Sequence, residues 1–133
     1  MYTIVVYNER QGKQTRRGIT MNIRTAERTE IEHFALYNED NAGDEFIVVE
    51  DAGEIVGYAQ FNSGVEDAQI FFMESNVKGA GRAMIEWFQS EFVEVGAMNA
   101  VETAQGFYKH FGFNDVRKNG YAGQVDMFWY AEE

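Results

Sequence analysis

The chain has 133 residues, 45% of them apolar, enough to bury one core of ordinary size. Its 22 acidic and 11 basic side chains leave a net charge of −11, which repels nucleic-acid phosphates and anionic membranes wherever no local basic patch intervenes. Cysteine and proline are missing and the histidines are His33 and His110, so disulfides, cysteine nucleophiles, thiolate zinc sites and histidine-rich metal sites are excluded; no apolar run approaches the ~18 residues of a membrane helix.

Residues 2–7, Tyr2-Thr3-Ile4-Val5-Val6-Tyr7, are rich in strand formers and have no basic segment before them, so they predict a first strand rather than a secretory leader, in a cytoplasmic protein. The segment 8–18 is the one basic stretch, Arg10, Lys13, Arg16 and Arg17 against Glu9, and the rest of the chain then carries −14. Thr29-Glu30-Ile31-Glu32 has the capping-box pattern, and Ile31, Phe34, Ala35 and Asn38 follow at helical spacing, which predicts a helix near 26–38. Seven acids lie in residues 38–54. Within them Phe46-Ile47-Val48-Val49, the turn Asp51-Ala52-Gly53-Glu54 and Ile55 to Phe61 form a predicted β-hairpin.

A turn at Asn62-Ser63-Gly64 leads to a strand over Ala68 to Met73. Gly79-Ala80-Gly81 then opens a helix whose apolar residues Met84, Ile85, Trp87, Phe88 and Phe92 share one face. A short strand at 97–101 precedes a helix from about Thr103, with Ala104, Phe107, Tyr108 and Phe111 on one side and Gly112 as its left-handed C-cap. Two strands near 113–118 and 123–130 end the chain. The order β-α-β-β-β-α-β-α-β-β predicts one α/β (α+β) domain over 1–133, a mixed, mostly antiparallel sheet flanked by helices.

The segment Asn76-Val77-Lys78-Gly79-Ala80-Gly81-Arg82 lies between a strand and a helix. Glycines there let the backbone approach an anion, the first helical N–H groups point at it, and Lys78 and Arg82 add charge. The plain alternative is a tight turn with small-residue packing. The loop is not a Walker motif, since no G-K-[S/T] follows, and it lacks the third glycine and the later acid of a dinucleotide fingerprint.

Two motifs resemble the GNAT family of N-acetyltransferases. The pyrophosphate loop of that family reads Q/R-x-x-G-x-G/A at a helix start after the fourth strand; here it is Asn76-Val77-Lys78-Gly79-Ala80-Gly81, with Asn76 in place of Gln or Arg. The second signature, A-x-x-[FL]-Y-x-x-x-G-F, is matched in full by Ala104-Gln105-Gly106-Phe107-Tyr108-Lys109-His110-Phe111-Gly112-Phe113. The likeness covers about 45–130. Two departures lie near the sheet opening that admits the cofactor: a short fifth strand, and Val101 where asparagine is common.

The resemblance implies acetyl-CoA as donor, no metal, and direct attack of an amine on the thioester. The backbone of Phe71 and Met73 would pair with the pantetheine arm. Amides from Val77, Lys78, Gly79, Ala80, Gly81 and Arg82 would hold the pyrophosphate. Tyr108 is the candidate general acid, because a phenol keeps its proton at pH 7 and can donate it to the departing thiolate; the alternative is a core tyrosine. Glu66 and Asp67 are candidate bases for the amine proton, against a merely solvated acidic turn. His110 reads as a surface residue. The expected partner is an amine acceptor, cationic in view of the acidic surface, with a second copy of the chain also a candidate and neither membrane nor nucleic acid expected. The rival reading is a protein of this fold that binds acyl-CoA or a protein partner as a regulator, without catalysis.

Overall fold

The computed structural model describes residues 5–7 (backbone), 21–34 and 43–132. The basic segment 8–18 lies outside them. The elements are β1 (Val5–Tyr7), β2 (Met21–Thr25), a one-turn 3-10 helix (Arg28–Glu30), β3 (Glu45–Asp51), β4 (Glu54–Ser63), β5 (Asp67–Ser75), α1 (Ala80–Glu91), β6 (Glu94–Val101), α2 (Glu102–His110), β7 (Asp115–Lys118) and β8 (Gln124–Tyr130). The strands form one mixed sheet in the order β2-β3-β4-β5-β6-β8-β7, with β1 paired to β5 off that path. The pairs β5–β6 and β1–β5 are parallel and the others antiparallel.

The predicted hairpin is β3–β4, closed by Ala52 (φ 54°) and Gly53 (φ 86°), the pair of positive angles that matches a two-residue turn to strand twist. The apolar residues on one face of these strands pack in one cluster with α1. Ile47, Ala59 and Met73 stand opposite one another across β3, β4 and β5 and join Ala80, Met84, Ile85 and Phe88 of α1 in the main core, together with Ala104 and Tyr108 of α2. On the other face Phe46, Val48, Tyr58 and Phe72 pack with Ile31 and Phe34.

The region before the hairpin departs from expectation. Residues 21–25, not singled out as a strand, pair with β3, with Met21 opposite Asp51 and Thr25 opposite Ile47. The helix expected near 26–38 is, over its described part, one 3-10 turn and a further turn to Phe34. Its backbone bonds all span three residues: Glu30 N–H to the Glu27 carbonyl, Ile31 to Arg28, and Phe34 to Ile31. The buried pair Ile31 and Phe34 is spaced for a 3-10 helix, in which residues three apart eclipse. Glu30, not Glu32, folds back as the cap, accepting the Glu27 N–H at 3.0 Å, and Arg24 fixes that carboxylate at 2.8 Å.

The fifth strand of the family pattern, β6, is eight residues long and not short. Its first half, Glu94-Val95-Gly96, is extended because it pairs with Asp67, Ala68 and Gln69. Gly96 interrupts the apolar pattern for a packing reason: a Cβ there would lie 2.8 Å from the Phe128 ring. The two predicted helices are found, and Gly112 ends α2 at φ 92° as expected.

Candidate active site

One edge of β5 is covered along its length by β4, from Gly57 opposite Ser75 to Ser63 opposite Ala68. The other edge pairs with β6 only from Asp67 (opposite Glu94) to Ile70 (opposite Ala97). Beyond that point the two parallel strands part. The cause is local to β6: its register with β8 breaks between Ala97 and Ala100, and Asn99 takes the left-handed conformation at φ 57°. The Asn99 N–H donates to Asp126 Oδ1 at 2.8 Å, and Asn119 Nδ2 donates to Asp126 Oδ1 at 3.0 Å and to Asn99 Oδ1 at 2.5 Å. A side-chain network thus holds β6 aside. Neither Asn99 nor Asp126 was singled out in the sequence; Met98-Asn99-Ala100 read as plain strand, and an asparagine inside it was the available signal.

At the far end of β5 the chain enters the glycine loop. Asn76 N–H bonds to the Val56 carbonyl at 2.8 Å, anchoring the loop to β4. Gly79 caps α1 at φ 92°, a conformation glycine adopts without the steric cost a Cβ brings. Ala80 and Gly81 are buried in the first turn, and a Cβ on Gly81 would stand 3.3 Å from the Phe107 ring, so this glycine also answers to α1–α2 packing. The Gly81 and Arg82 N–H groups lie in the first turn, where no helical carbonyl reaches them. Val77 packs partly against the core, and Lys78 is exposed. Arg82 is exposed too, 3.4 Å from Glu86 and over the Phe111 ring at 5.4 Å.

Tyr108 is fully buried in the main core, in the cluster that also holds Ile70, Met73 and Ala97 from the mouth of the strand opening. Its ring packs on Phe107 and Phe113, at 5.4 and 5.3 Å between centroids. The hydroxyl has no hydrogen-bond partner among the described residues. Burial alone pushes this phenol well above its ordinary pKa, so it is protonated at neutral pH. A buried polar atom left unbonded costs about 1–3 kcal/mol, a cost that packing does not explain.

Glu66 and Asp67 stand elsewhere. Glu66 is exposed, and its carbonyl accepts the N–H of Val93 and Glu94. Asp67 opens β5, where its carboxylate accepts from Gln69 Nε2 at 2.7 Å. Ile70 lies three steps along the strand from it, roughly 10 Å, and the whole of β5 separates it from the glycine loop. The described acids of 38–54 do not form one field either. Of the described ones, Asp44 and Glu45 lie at one end of β3, with Glu45 bonded by Ser63 at 2.8 Å, and Asp51 and Glu54 lie at the other.

A cleft of about 560 Å³ lies where β6 gives way to α2, lined among others by Glu102, Gln105, Lys118, Asn119, Tyr121 and Gln124. Gln105 Nε2 ties the carbonyls of Ala100 and Gly123 together at 3.1 and 3.2 Å, and the buried Gln124 Oε1 has no partner among the described residues.

The family model for the acetyltransferase (GNAT) domain matches residues 12–131. The chain belongs to the GNAT acetyltransferase family. No curated protein matches it significantly. Among solved structures it is similar to Ard1 from Thermoplasma volcanium, at 20% identity and TM-score 0.60, covering 86% of this chain and 100% of the other. The ribosomal-protein-S18-alanine N-acetyltransferase from Escherichia coli gives 19% identity and TM-score 0.59, covering 85% of this chain and 95% of that one. A GNAT family acetyltransferase from Elizabethkingia anophelis, solved with acetyl-CoA bound, gives 14% identity and TM-score 0.51, covering 84% and 99%. At these identities the likeness shows the GNAT fold, and the family match makes the chain an acetyltransferase.

Two features suit an acyl-CoA: the buried Tyr108 hydroxyl, which has no hydrogen-bond partner among the described residues, and the glycine-capped N-terminus of α1 at the end of β5. A third differs from expectation. The edge of β5 assigned to pantetheine through Phe71 and Met73 is partly paired with the chain itself, with Val5 opposite Met73, Val6 opposite Glu74 and Tyr7 opposite Ser75. Among the described residues no helix is long and apolar enough to cross a membrane.

Proposed function

We propose that this GNAT acetyltransferase takes acetyl-CoA as donor and passes the acetyl group directly to an amine, a small cationic amine or a peptide amine. The observation that carries the reading is the buried Tyr108 hydroxyl without a hydrogen-bond partner among the described residues. Bound acetyl-CoA would supply a thioester whose acyl carbon an amine attacks. The amides of Val77, Lys78, Gly79, Ala80, Gly81 and Arg82, with the Lys78 and Arg82 side chains, would hold its pyrophosphate, and the edge of β5 at Phe71 and Met73, which β1 shares from Met73 onward, its pantetheine arm.

Tyr108 keeps its proton on Oη at neutral pH and acts as the donor toward a sulfur anion. Raised by burial, it is a weaker acid than a thiol of reference pKa about 8.5, so its first contribution is a hydrogen bond to developing charge rather than early release of the proton. Glu66 and Asp67, about 10 Å of strand from the opening, would take up the amine proton through water. In the cleft beside β6, the exposed Glu102 carboxylate offers an acceptor to an ammonium group. The net charge of −11 favours cations over anionic amines.

The test is acetyl-CoA thiol release across a panel of amines. The chain has no cysteine, so a thiol reagent reads released CoA without background. Turnover with cationic amines supports the reading. CoA binding without turnover on any amine would make this a non-catalytic acyl-CoA-binding member of the family.

A further inference from the structure

The opening between β5 and β6 is an acceptor for an extended chain, and the protein supplies one. Since β4 covers one edge of β5 throughout, β1 lies on the same edge as β6, immediately past the point where β6 leaves. It runs parallel to β5, from Met73 toward Ser75, so it heads for the glycine loop that begins at Asn76. β1 lies before the residues 12–131 that the family model matches. The residues Val5-Val6-Tyr7 are strong strand formers, and among the described residues the pairing covers three positions.

We propose that the N-terminal strand is a built-in competitor of acyl-CoA, which docks on the donor edge of β5 and must leave before pantetheine can pair there. The proposal rests on the donor reading given above. A strand and a pantetheine arm use the same main-chain groups of β5, so the two exclude each other. The apparent affinity for CoA is the intrinsic affinity reduced by the fraction of molecules in which the edge is free. A strand docked in about 90–99% of molecules weakens CoA binding about 10- to 100-fold.

The test uses the full chain. In one arm, Val6→Pro and the double change Val5→Pro with Tyr7→Pro remove N–H groups from alternate positions of β1, one set of which faces β5. CoA binding by calorimetry should tighten at least 10-fold in one of the two. In the other arm, Tyr7→Cys with Ser75→Cys places two cysteines opposite each other in a chain that has none, with Cα atoms roughly 5 Å apart, within disulfide reach. The oxidised form should lose CoA binding, and reductant should restore it. Equal affinity in oxidised, reduced and proline forms would overturn the self-occlusion and leave the donor reading standing. Failure of the disulfide to form under oxidation would overturn it as well. Absence of CoA binding in every form, reduced and proline variants included, would overturn the donor reading and this proposal together.

Discussion

Tyr108→Phe separates stability from activity in a way that few substitutions do. The ring keeps its contacts with Phe107 and Phe113, and only the hydroxyl goes. That hydroxyl is buried and has no partner among the described residues, so its removal relieves a desolvation cost of about 1–3 kcal/mol. At this chain length, 1 kcal/mol corresponds to about 4 °C in Tm, so the variant should melt about 4–12 °C higher. If Tyr108 is the donor to the leaving thiolate, turnover should fall about 100- to 10,000-fold in the same protein, with CoA affinity retained. Denaturant unfolding and the thiol-release assay measure the two effects side by side. An ordinary core tyrosine with a satisfied hydroxyl predicts the opposite pattern: a loss of stability of about 1 kcal/mol and unchanged turnover. A variant that is both less stable and fully active would therefore refute the assignment, and turnover within a few-fold of wild type would refute the catalytic half of it whatever the stability.

Gly96→Ala should cost about 1–3 kcal/mol in denaturant unfolding, because its Cβ would meet the Phe128 ring at 2.8 Å and Met98 Sδ at 3.1 Å; a neutral result would mean that Phe128 moves freely. Arg24 bonds Glu30 and Glu50 and holds both carboxyls below their usual range, so their contribution is present above about pH 4.3 and is lost as pH falls through the lowered folded values. Arg24→Met should accordingly be destabilising at pH 7, with the gap to wild type closing below about pH 4; a gap that does not depend on pH would mean that the arginine acts through packing. For a cationic acceptor kcat/KM should fall as ionic strength rises past about 0.15 M, where the Debye length is roughly 8 Å, and an anionic amine of similar size should be the poorer substrate. Preference for the anionic amine, or no salt effect on the cationic one, would leave the acidic surface a role in solubility alone.

What was legible in the sequence was whatever a local pattern determines. The hairpin followed from Ala52-Gly53 between two apolar runs, the helix α1 from the glycines before a 3.6-residue apolar repeat, and α2 with its cap from Ala104, Tyr108 and Gly112. The errors lie where a residue's conformation is set by a distant partner. Glu30 caps the 3-10 turn because Arg24, on β2, holds it there, and the sequence offered Thr29 and Glu32 as an equally regular box. Gly96 looked like a break before a short strand because its reason, the ring of Phe128, comes 32 positions later. The opening of the sheet depends on Asn99, whose left-handed backbone is fixed by Asp126 and Asn119 from β8 and the turn before it. The same division runs through the site. The glycine loop and Tyr108 are local motifs, which a sequence pattern can single out. The occupant of the β5 edge is a long-range pairing between residues 5–7 and 73–75, invisible to any pattern of spacing. A strand-forming tripeptide at the N-terminus could have paired with any free edge; it meets β5 because the Asn99–Asp126 network leaves that edge uncovered. The feature that opens the sheet beside β5 is thus also the one that exposes that edge to residues 5–7.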